Sequence, residues 1–441
     1  MNILIIGSGA REHILAHSLK QNETVRIFNI ATHINPGLKP LCENISLIAF
    51  KDLSAIQDYA KAHKISMAWI GPEAPLEMGV ADALWDINIP TIGPKKALAQ
   101  LETSKGFTRE LQKKYQLPGA LNFRYFKNLE GAAEFLQVLG PEYVIKADGL
   151  MGGKGVKLSS EHLASHQEAL EYCQEILDAG QGFVIEEKLI GAEFSLLCFA
   201  DGKTLAPMPI AHDHKRAFNE DLGPNTGGMG VYTAYDGLLP FVEQNEVLEA
   251  LNISIDTIKA LQKECNDRYI GIVYGSFMAT KNGVKLIEFN ARFGDPEVIN
   301  LLSLLETDLL AISQAMIDQA LDQINIKFKP KASVCKYIVP EGYPDHPIKN
   351  QYVVIGALPK DVQCFYASVT QDDQGLKLLG SRALALVALA DSIPEASALV
   401  EAAIKNIHGP VFHRSDIGTS ALINQRISHS NLVAAKGFAL L

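Results

Sequence analysis

Long apolar runs are missing from this 441-residue sequence. No stretch approaches the roughly 20 residues that span a bilayer, so a membrane-crossing chain is not expected. Runs of like charge are missing too. No block of five or six Lys and Arg occurs, and 50 Asp and Glu against 40 Lys and Arg leave a net charge of −10. Nucleic acid is therefore not the expected partner, because binding a phosphate backbone draws on clustered cations. Anionic small molecules remain open wherever a few Lys and Arg converge. Cysteine is sparse. The six, Cys42, Cys173, Cys198, Cys265, Cys335 and Cys364, form no C-x-x-C pair and no metal-type cluster, and they read as reduced thiols packed as small apolar groups. Internal repeats and low-complexity linkers are absent. Residues 1–7 carry no cationic region before an apolar segment and read as a first strand, not an export signal. A cytoplasmic protein with no obligate protein partner is expected.

What is present is the balance of a folded enzyme: 47% apolar and 20% charged residues, over a length that implies about two to four domains. Across residues 1–103 short apolar strands alternate with helical patterns, which predicts a doubly wound parallel α/β domain. Loops 7–12 and 71–75 then fall at the carboxyl ends of strands, where such sheets bind ligands. A helix is expected over 79–86. Residues 123–192 read as a small α+β unit, 193–327 as strands followed by helices, and 328–441 as a last mixed domain ending in a helical tail. Asn282-Gly283 predicts a type I′ hairpin.

Gly7-Ser8-Gly9-Ala10-Arg11-Glu12 follows a strand and opens a helix, so its free N–H groups suit an anion. It is not a dinucleotide fingerprint: Glu12 replaces the third glycine, and the second strand ends Phe28-Asn29-Ile30 without an acidic residue for a ribose. Lys146-Ala147-Asp148-Gly149-Leu150-Met151-Gly152-Gly153-Lys154-Gly155-Val156 sits between two strands. A Walker loop would lead into a helix and carry Ser or Thr after its lysine; this one reads as a glycine flap whose amides fold over phosphates, with Lys146 reaching them from the strand. The segment 183–193 is an apolar strand turning into a polar crossing whose backbone suits an adenine edge and whose Glu193 suits ribose hydroxyls. Farther on, Val284-Lys285-Leu286-Ile287-Glu288-Phe289-Asn290-Ala291-Arg292 places Glu288, Asn290 and Arg292 on one strand face, with Ile287 and Phe289 on the other. A carboxylate, an amide oxygen and a guanidinium fit a hard cation beside phosphate.

These segments, together with Gly71-Pro72-Glu73-Ala74-Pro75-Leu76, Ser104-Lys105-Gly106-Phe107, residues 224–230 and Arg414-Ser415-Asp416-Ile417-Gly418, resemble the glycinamide ribonucleotide synthetase family of ATP-grasp ligases over essentially the full length. The resemblance implies an N-terminal substrate domain (1–103), an ATP-grasp pair made of a central domain (104–122 and 193–327) and a lid (123–192), and a small C-terminal mixed domain (328–441). It implies that ATP phosphorylates glycine and that the amine of 5-phosphoribosylamine attacks the glycyl phosphate. Carried over position by position, Lys105 and Lys146 contact ATP phosphates, and Gly149, Gly152, Gly153, Lys154 and Gly155 form the flap. Glu186, Glu187, Leu189 and Glu193 hold adenosine, and Glu288 and Asn290 bind Mg²⁺ or Mn²⁺. Gly9, Arg11, Glu12, Glu73, Asp213, Asn225, Thr226, Gly227, Gly228, Met229 and Arg292 surround the two substrates, with Arg292 and Lys146 catalytic. The sequence departs from the family pattern at Asn35-Pro36-Gly37-Leu38, Ser276 and Tyr366-Ala367-Ser368. Another ATP-grasp carboxylate–amine ligase or carboxylase is the alternative enzyme; an inactive ATP sensor is the alternative from a different class.

Overall fold

The computed structural model describes residues 1–151 and 155–435. Five parallel strands, in the order Cys42–Leu47, Arg26–Ala31, Asn2–Ile6, Met67–Ile70, Thr91–Ile92, form the N-terminal sheet. Ile3, Leu4, Ile5 and Ile6 are all fully buried, the mark of a parallel strand covered on both faces. Asn2–Ile6 runs into Gly7 and Met67–Ile70 runs into Gly71, so the two loops open side by side at the carboxyl ends of neighbouring strands. The second loop is shorter than its sequence suggests. A helix Glu73–Met78 begins inside it, and Gly79, at φ +84°, separates that helix from Val80–Asp86; a left-handed link of this kind is cheap only without a Cβ.

Residues 123–187 build a four-stranded antiparallel sheet in the order Phe123–Phe126, Phe183–Glu187, Tyr143–Ala147, Val156–Leu158. Helices Ala132–Leu139 and His166–Asp178 back it, and Phe126, Leu136, Ile145, Cys173 and Phe183 belong to a core of its own. A unit with a separate core can tilt without unpacking the main one.

The central sheet joins Leu205–Pro207, Ala192–Asp201, Ile270–Thr280 and Gly283–Asn290. Helix Gln244–Cys265 lies on it, burying Ala250, Ile253, Ser254, Thr257, Ile258 and Leu261 at the three- and four-residue spacing of one helical face. The hairpin does not form the expected type I′ turn. Thr280 pairs with Gly283, the turn is Lys281-Asn282, and only Gly283 has positive φ (+88°). The Thr280 hydroxyl accepts from Asn282 N at 3.1 Å and donates to the Gly283 carbonyl at 2.7 Å, which stabilises a turn with both central residues at negative φ.

Strand His212–Asp213 pairs with Gly230–Thr233, which pairs with Ala332–Pro340, and the sheet continues to Leu384–Ala390 and Val362–Tyr366. One sheet therefore crosses residue 328. Arg414 fastens this end of the molecule. Fully buried, its guanidinium meets Asp221 and Asp416, each at 2.8 Å, and the Arg216 carbonyl at 3.1 Å. Among the described residues no helix is long and apolar enough to cross a membrane.

Replacing Arg414 by Met strips Asp416 of its cation. Breaking a buried pair from one side costs about 3–5 kcal/mol, so the thermal midpoint of Arg414→Met should fall by several degrees in calorimetry. An unchanged midpoint would show that Arg414 is not a fastening.

Candidate active site

The site begins with strand register. Glu193 lies opposite Met278 and Ser195 opposite Ser276, while Ser276 lies opposite Glu288 and Tyr274 opposite Asn290. Directly paired residues share a face, so Glu193, Ser195, Tyr274, Ser276, Glu288 and Asn290 all project to one side of the central sheet. A one-residue register shift between Ser276 and Phe277 makes this possible. Strict alternation along the strand would put Glu288 with buried Val284 and Leu286; the shift leaves Ile287 without a paired residue, sends Phe289 into the core and turns Glu288 and Asn290 to the open face. The strand ends at Asn290, so Arg292 is not on that face by periodicity, as the sequence suggests, but lies past its end.

Beside this face sit Lys105 and Lys146. The Lys105–Lys114 helix starts at Ser104, whose hydroxyl accepts from Phe107 N and donates to Asp148 Oδ2 at 3.1 Å, and Lys105 Nζ donates to the Gly149 carbonyl at 2.9 Å. Burial pulls the Lys105 pKa down, with the Glu288 carboxylate opposing. Lys146 Nζ meets Glu186 Oε1 at 2.5 Å and donates to the Ile287 carbonyl at 3.1 Å. Arg109 Nε donates to the other Glu186 oxygen at 2.8 Å. Glu186 thus accepts a cation at each carboxylate oxygen. Glu187 likewise turns back, accepting from Asn122 N at 2.9 Å. Leu189 is half-buried. Glu193 is engaged by Lys215 Nζ at 2.8 Å and the Ser276 hydroxyl at 3.2 Å; burial pushes its pKa up, but the Lys215 charge outweighs this and holds it at about 2. Gly149 has φ +99°. Gly152, Gly153 and Lys154 lie outside the described residues.

On the substrate side, the N-terminal glycine loop is filled from within. Gly9 N donates to Glu12 Oε2 at 2.5 Å, Arg11 Nε to Glu12 Oε1 at 2.8 Å, and Arg11 Nη1 to the Phe293 carbonyl at 3.0 Å. The anion expected at Gly9 N–H is therefore this chain's own carboxylate, cradled where a Cβ on Gly7 would come within 2.6 Å of Glu12 Cδ and one on Gly71 would overlap Oε1. Arg292 lies between Glu73 (3.2 Å) and Glu102 (2.8 Å) and donates to the Phe293 carbonyl at 3.3 Å. Burial raises the Glu73 pKa, but the Arg292 and Arg11 charges prevail and leave it at about 2; for Glu102 burial prevails and its pKa is raised.

Asp213 is also pushed up, by burial and by the Glu297 charge. Its neighbours are the turn that follows Asn225, in which the Thr226 hydroxyl donates to the Lys215 carbonyl and accepts from Gly228 N. Arg382 Nη1 ties that turn down through the carbonyls of Gly227 (2.6 Å), Gly228 (3.0 Å) and Asp295 (2.7 Å). Met229, expected at the substrates, is fully buried in the main core instead, since Gly230–Thr233 is a strand of the sheet beneath. Glu102, Arg109 and Arg382 escaped the sequence reading. Two of the departures from the family pattern touch each other: Asn35 Nδ2 donates to the Tyr366 carbonyl (2.7 Å) and to the Ser8 carbonyl (2.9 Å), and the third, Ser276, bonds Glu193.

Comparison with known proteins follows the same outline. The phosphoribosylglycinamide synthetase N domain matches residues 1–102, its ATP-grasp (A) domain residues 103–298 and its C domain residues 333–420. The phosphoribosylamine–glycine ligase of Methanosarcina barkeri is 44% identical over 430 residues, 97% of this chain and 99% of that one. A crystal structure of the Thermotoga maritima phosphoribosylamine–glycine ligase aligns with a TM-score of 0.80 and 26% identity, covering 95% of this chain and 100% of the other. The biotin carboxylase domain of the Hydrogenobacter thermophilus 2-oxoglutarate carboxylase, solved with MgADP, ADP and bicarbonate, aligns with a TM-score of 0.72 and 15% identity over 98% of this chain and 93% of that one, a likeness of fold.

The Glu12 cradle generates a direct test. Gly71→Ala drives a methyl group into Glu12 Oε1, and overpacking of this kind costs about 1–3 kcal/mol. Reduced thermal stability and a loss of activity are expected together, because Glu12 must leave Arg11. Unaltered stability and turnover would mean that the cradle is loose.

Proposed function

The chain belongs to the phosphoribosylglycinamide synthetase family, and from that membership we propose that the open face of its central sheet is where ATP activates glycine for attack by 5-phosphoribosylamine. The protein is an ATP-dependent carbon–nitrogen ligase of purine biosynthesis. The observation that supports this site most strongly is the convergence of Glu193, Glu288 and Asn290 on one sheet face with Lys105 and Lys146 beside it. The chain divides as 1–103, 104–122 with 193–327, 123–192 as lid, and 328–441. Its six free cysteines are in keeping with a cytoplasmic enzyme.

A carboxylate does not acylate an amine at neutral pH, because the departing oxygen is a poor leaving group. The γ-phosphoryl group therefore passes from ADP oxygen to a glycine carboxylate oxygen, giving glycyl phosphate. The amine nitrogen then attacks the glycyl carbon; a C–N bond forms, the C–O bond to phosphate breaks and the nitrogen gives up a proton. Glycinamide ribonucleotide, ADP and phosphate remain.

In this reading Lys105, Lys146 and the flap hold the triphosphate, while the crossing at Leu189 and the Glu193 carboxylate hold adenosine. Glu288 and Asn290 offer a carboxylate and an amide oxygen, a donor set suited to Mg²⁺ or Mn²⁺ that keeps water and phosphate as its other ligands. A cation bound there offsets phosphate charge. Gly9, Arg11, Glu12, Glu73, Asp213 and the 225–228 turn border the two substrates. Arg292 is fixed by Glu73 and Glu102 before any substrate arrives, so its remaining donors need no reorganisation when charge builds on the transferring group.

Two measurements test the chemistry. With glycine labelled by ¹⁸O in its carboxylate, one label should appear in the phosphate released; label-free phosphate, or AMP with pyrophosphate, would sink the acyl phosphate. Arg292→Lys keeps the charge but loses the planar fork, and kcat should fall by roughly 10²–10³ while ATP affinity changes little. Should the variant keep kcat and lose ATP binding instead, Arg292 is a ground-state anchor.

A further inference from the structure

One buried carboxylate lies between two cations at the join of lid and central sheet. Glu186 is 2% exposed. One of its oxygens takes Lys146, the other takes Arg109. Arg109 itself is 3% exposed, and four of its five N–H donors are spent inside the protein: Nε on Glu186, Nη1 on Gln112 Oε1 (2.9 Å) and the Leu286 carbonyl (3.2 Å), and Nη2 on the Ile287 carbonyl (2.8 Å). Lys146 shares that Ile287 carbonyl, so two of its three N–H groups are spent inside the protein and one remains.

The charges then decide what Lys146 can do. A lysine bonded to a buried glutamate is a neutral pair, and a neutral pair attracts a phosphate weakly. With Arg109 on the second oxygen the three side chains sum to one positive charge. We propose that Arg109 is a positioning residue for the nucleotide: by taking up Glu186 it leaves the Lys146 ammonium effectively positive, and through the Ile287 carbonyl it fixes that ammonium over the strand bearing Glu288 and Asn290. The burial of Glu186 fits this, since its pKa is raised by desolvation yet ends below the usual carboxylate value through Arg109 and Lys146. The inference rests on the ATP reading above.

The test is ADP affinity in the presence of Mg²⁺, measured by calorimetry on the full chain, with KM for glycine as the second readout. Arg109→Gln should weaken ADP roughly 10- to 100-fold, the scale of a charge-assisted contact, and leave glycine KM within about twofold. In Arg109→Gln/Glu186→Gln the charge that cancels Lys146 is gone as well, and ADP affinity should return to within about fivefold of wild type. A scaffold residue would behave oppositely, the double variant binding no better than Arg109→Gln. That result, or an Arg109→Gln variant with unaltered ADP affinity, overturns the proposal. If Arg109→Gln does not fold, the double variant alone decides: affinity within fivefold supports the role, and a loss beyond tenfold overturns it. Wild-type protein that binds no ADP would overturn the ATP reading and this inference with it, whereas failure in the variants alone leaves the ATP reading standing.

Discussion

Arg109 and Lys146 converge on one backbone carbonyl, that of Ile287, and the face on which the chemistry is assigned exists because that residue is extra. A regular strand would have aimed Glu288 into the core beside Val284 and Leu286. An ionised carboxylate buried there without a partner costs several kcal/mol, so regular pairing and a charged residue at 288 are incompatible. The bulge resolves the conflict locally. It also leaves the carbonyl at 287 outside the ladder, where two cations claim it. Glu288, Asn290 and Lys146 are therefore registered against each other through a single peptide unit, even though they belong to different sheets.

The same economy appears at the other end of the site. A nucleotide-binding loop of the dinucleotide type keeps its third glycine so that helix and phosphate can approach closely. Here Glu12 stands at that position and its carboxylate occupies the loop, held by Gly9 N and Arg11. The glycines at 7 and 71 remain necessary, but as walls of a carboxylate cradle. The parallel sheet thereby becomes a support that carries Arg11 and, through the Phe293 carbonyl, reaches the segment after strand Gly283–Asn290.

Local features of the sequence were enough to place the parallel sheet, the two strands that flank the glycine segment, with Lys146 on the first of them, and the polar strand. Each rests on contiguous residues: continuous apolar runs, glycines between strands, alternation. What escaped them depends on pairing between distant segments. The bulge at Ile287 is a property of two strands, and nothing in Leu286-Ile287-Glu288 announces which residue will be skipped. Glu102, Arg109 and Arg382 meet their partners about 190, 77 and 155 residues away in sequence; read locally, Arg109 is one more polar residue of a strongly amphipathic helix. Met229 misled for the opposite reason. It sits in a glycine-rich turn that does border the site, but its side chain follows the strand that comes next into the core. The Asn-Gly turn failed because the Thr280 hydroxyl supports a competing geometry in which only the glycine needs positive φ.

Charge is distributed unevenly along the site, and the unevenness has a direction. Glu193 and Lys215 cancel, and Arg292 faces two carboxyls of which burial favours protonation of one, Glu102. Lys105, by contrast, has a carbonyl as its bonded partner, and the Arg109–Glu186–Lys146 group sums to a positive charge. The Arg109–Glu186–Lys146 group is thus a local positive charge in a chain that as a whole carries −10. On the proposed ATP reading, these side chains would draw the anionic end of a triphosphate to the lysines and leave its neutral base to the crossing strand. Because Coulomb interactions strengthen as water is excluded, that preference would sharpen in any arrangement that shields Lys105 and Lys146 from solvent.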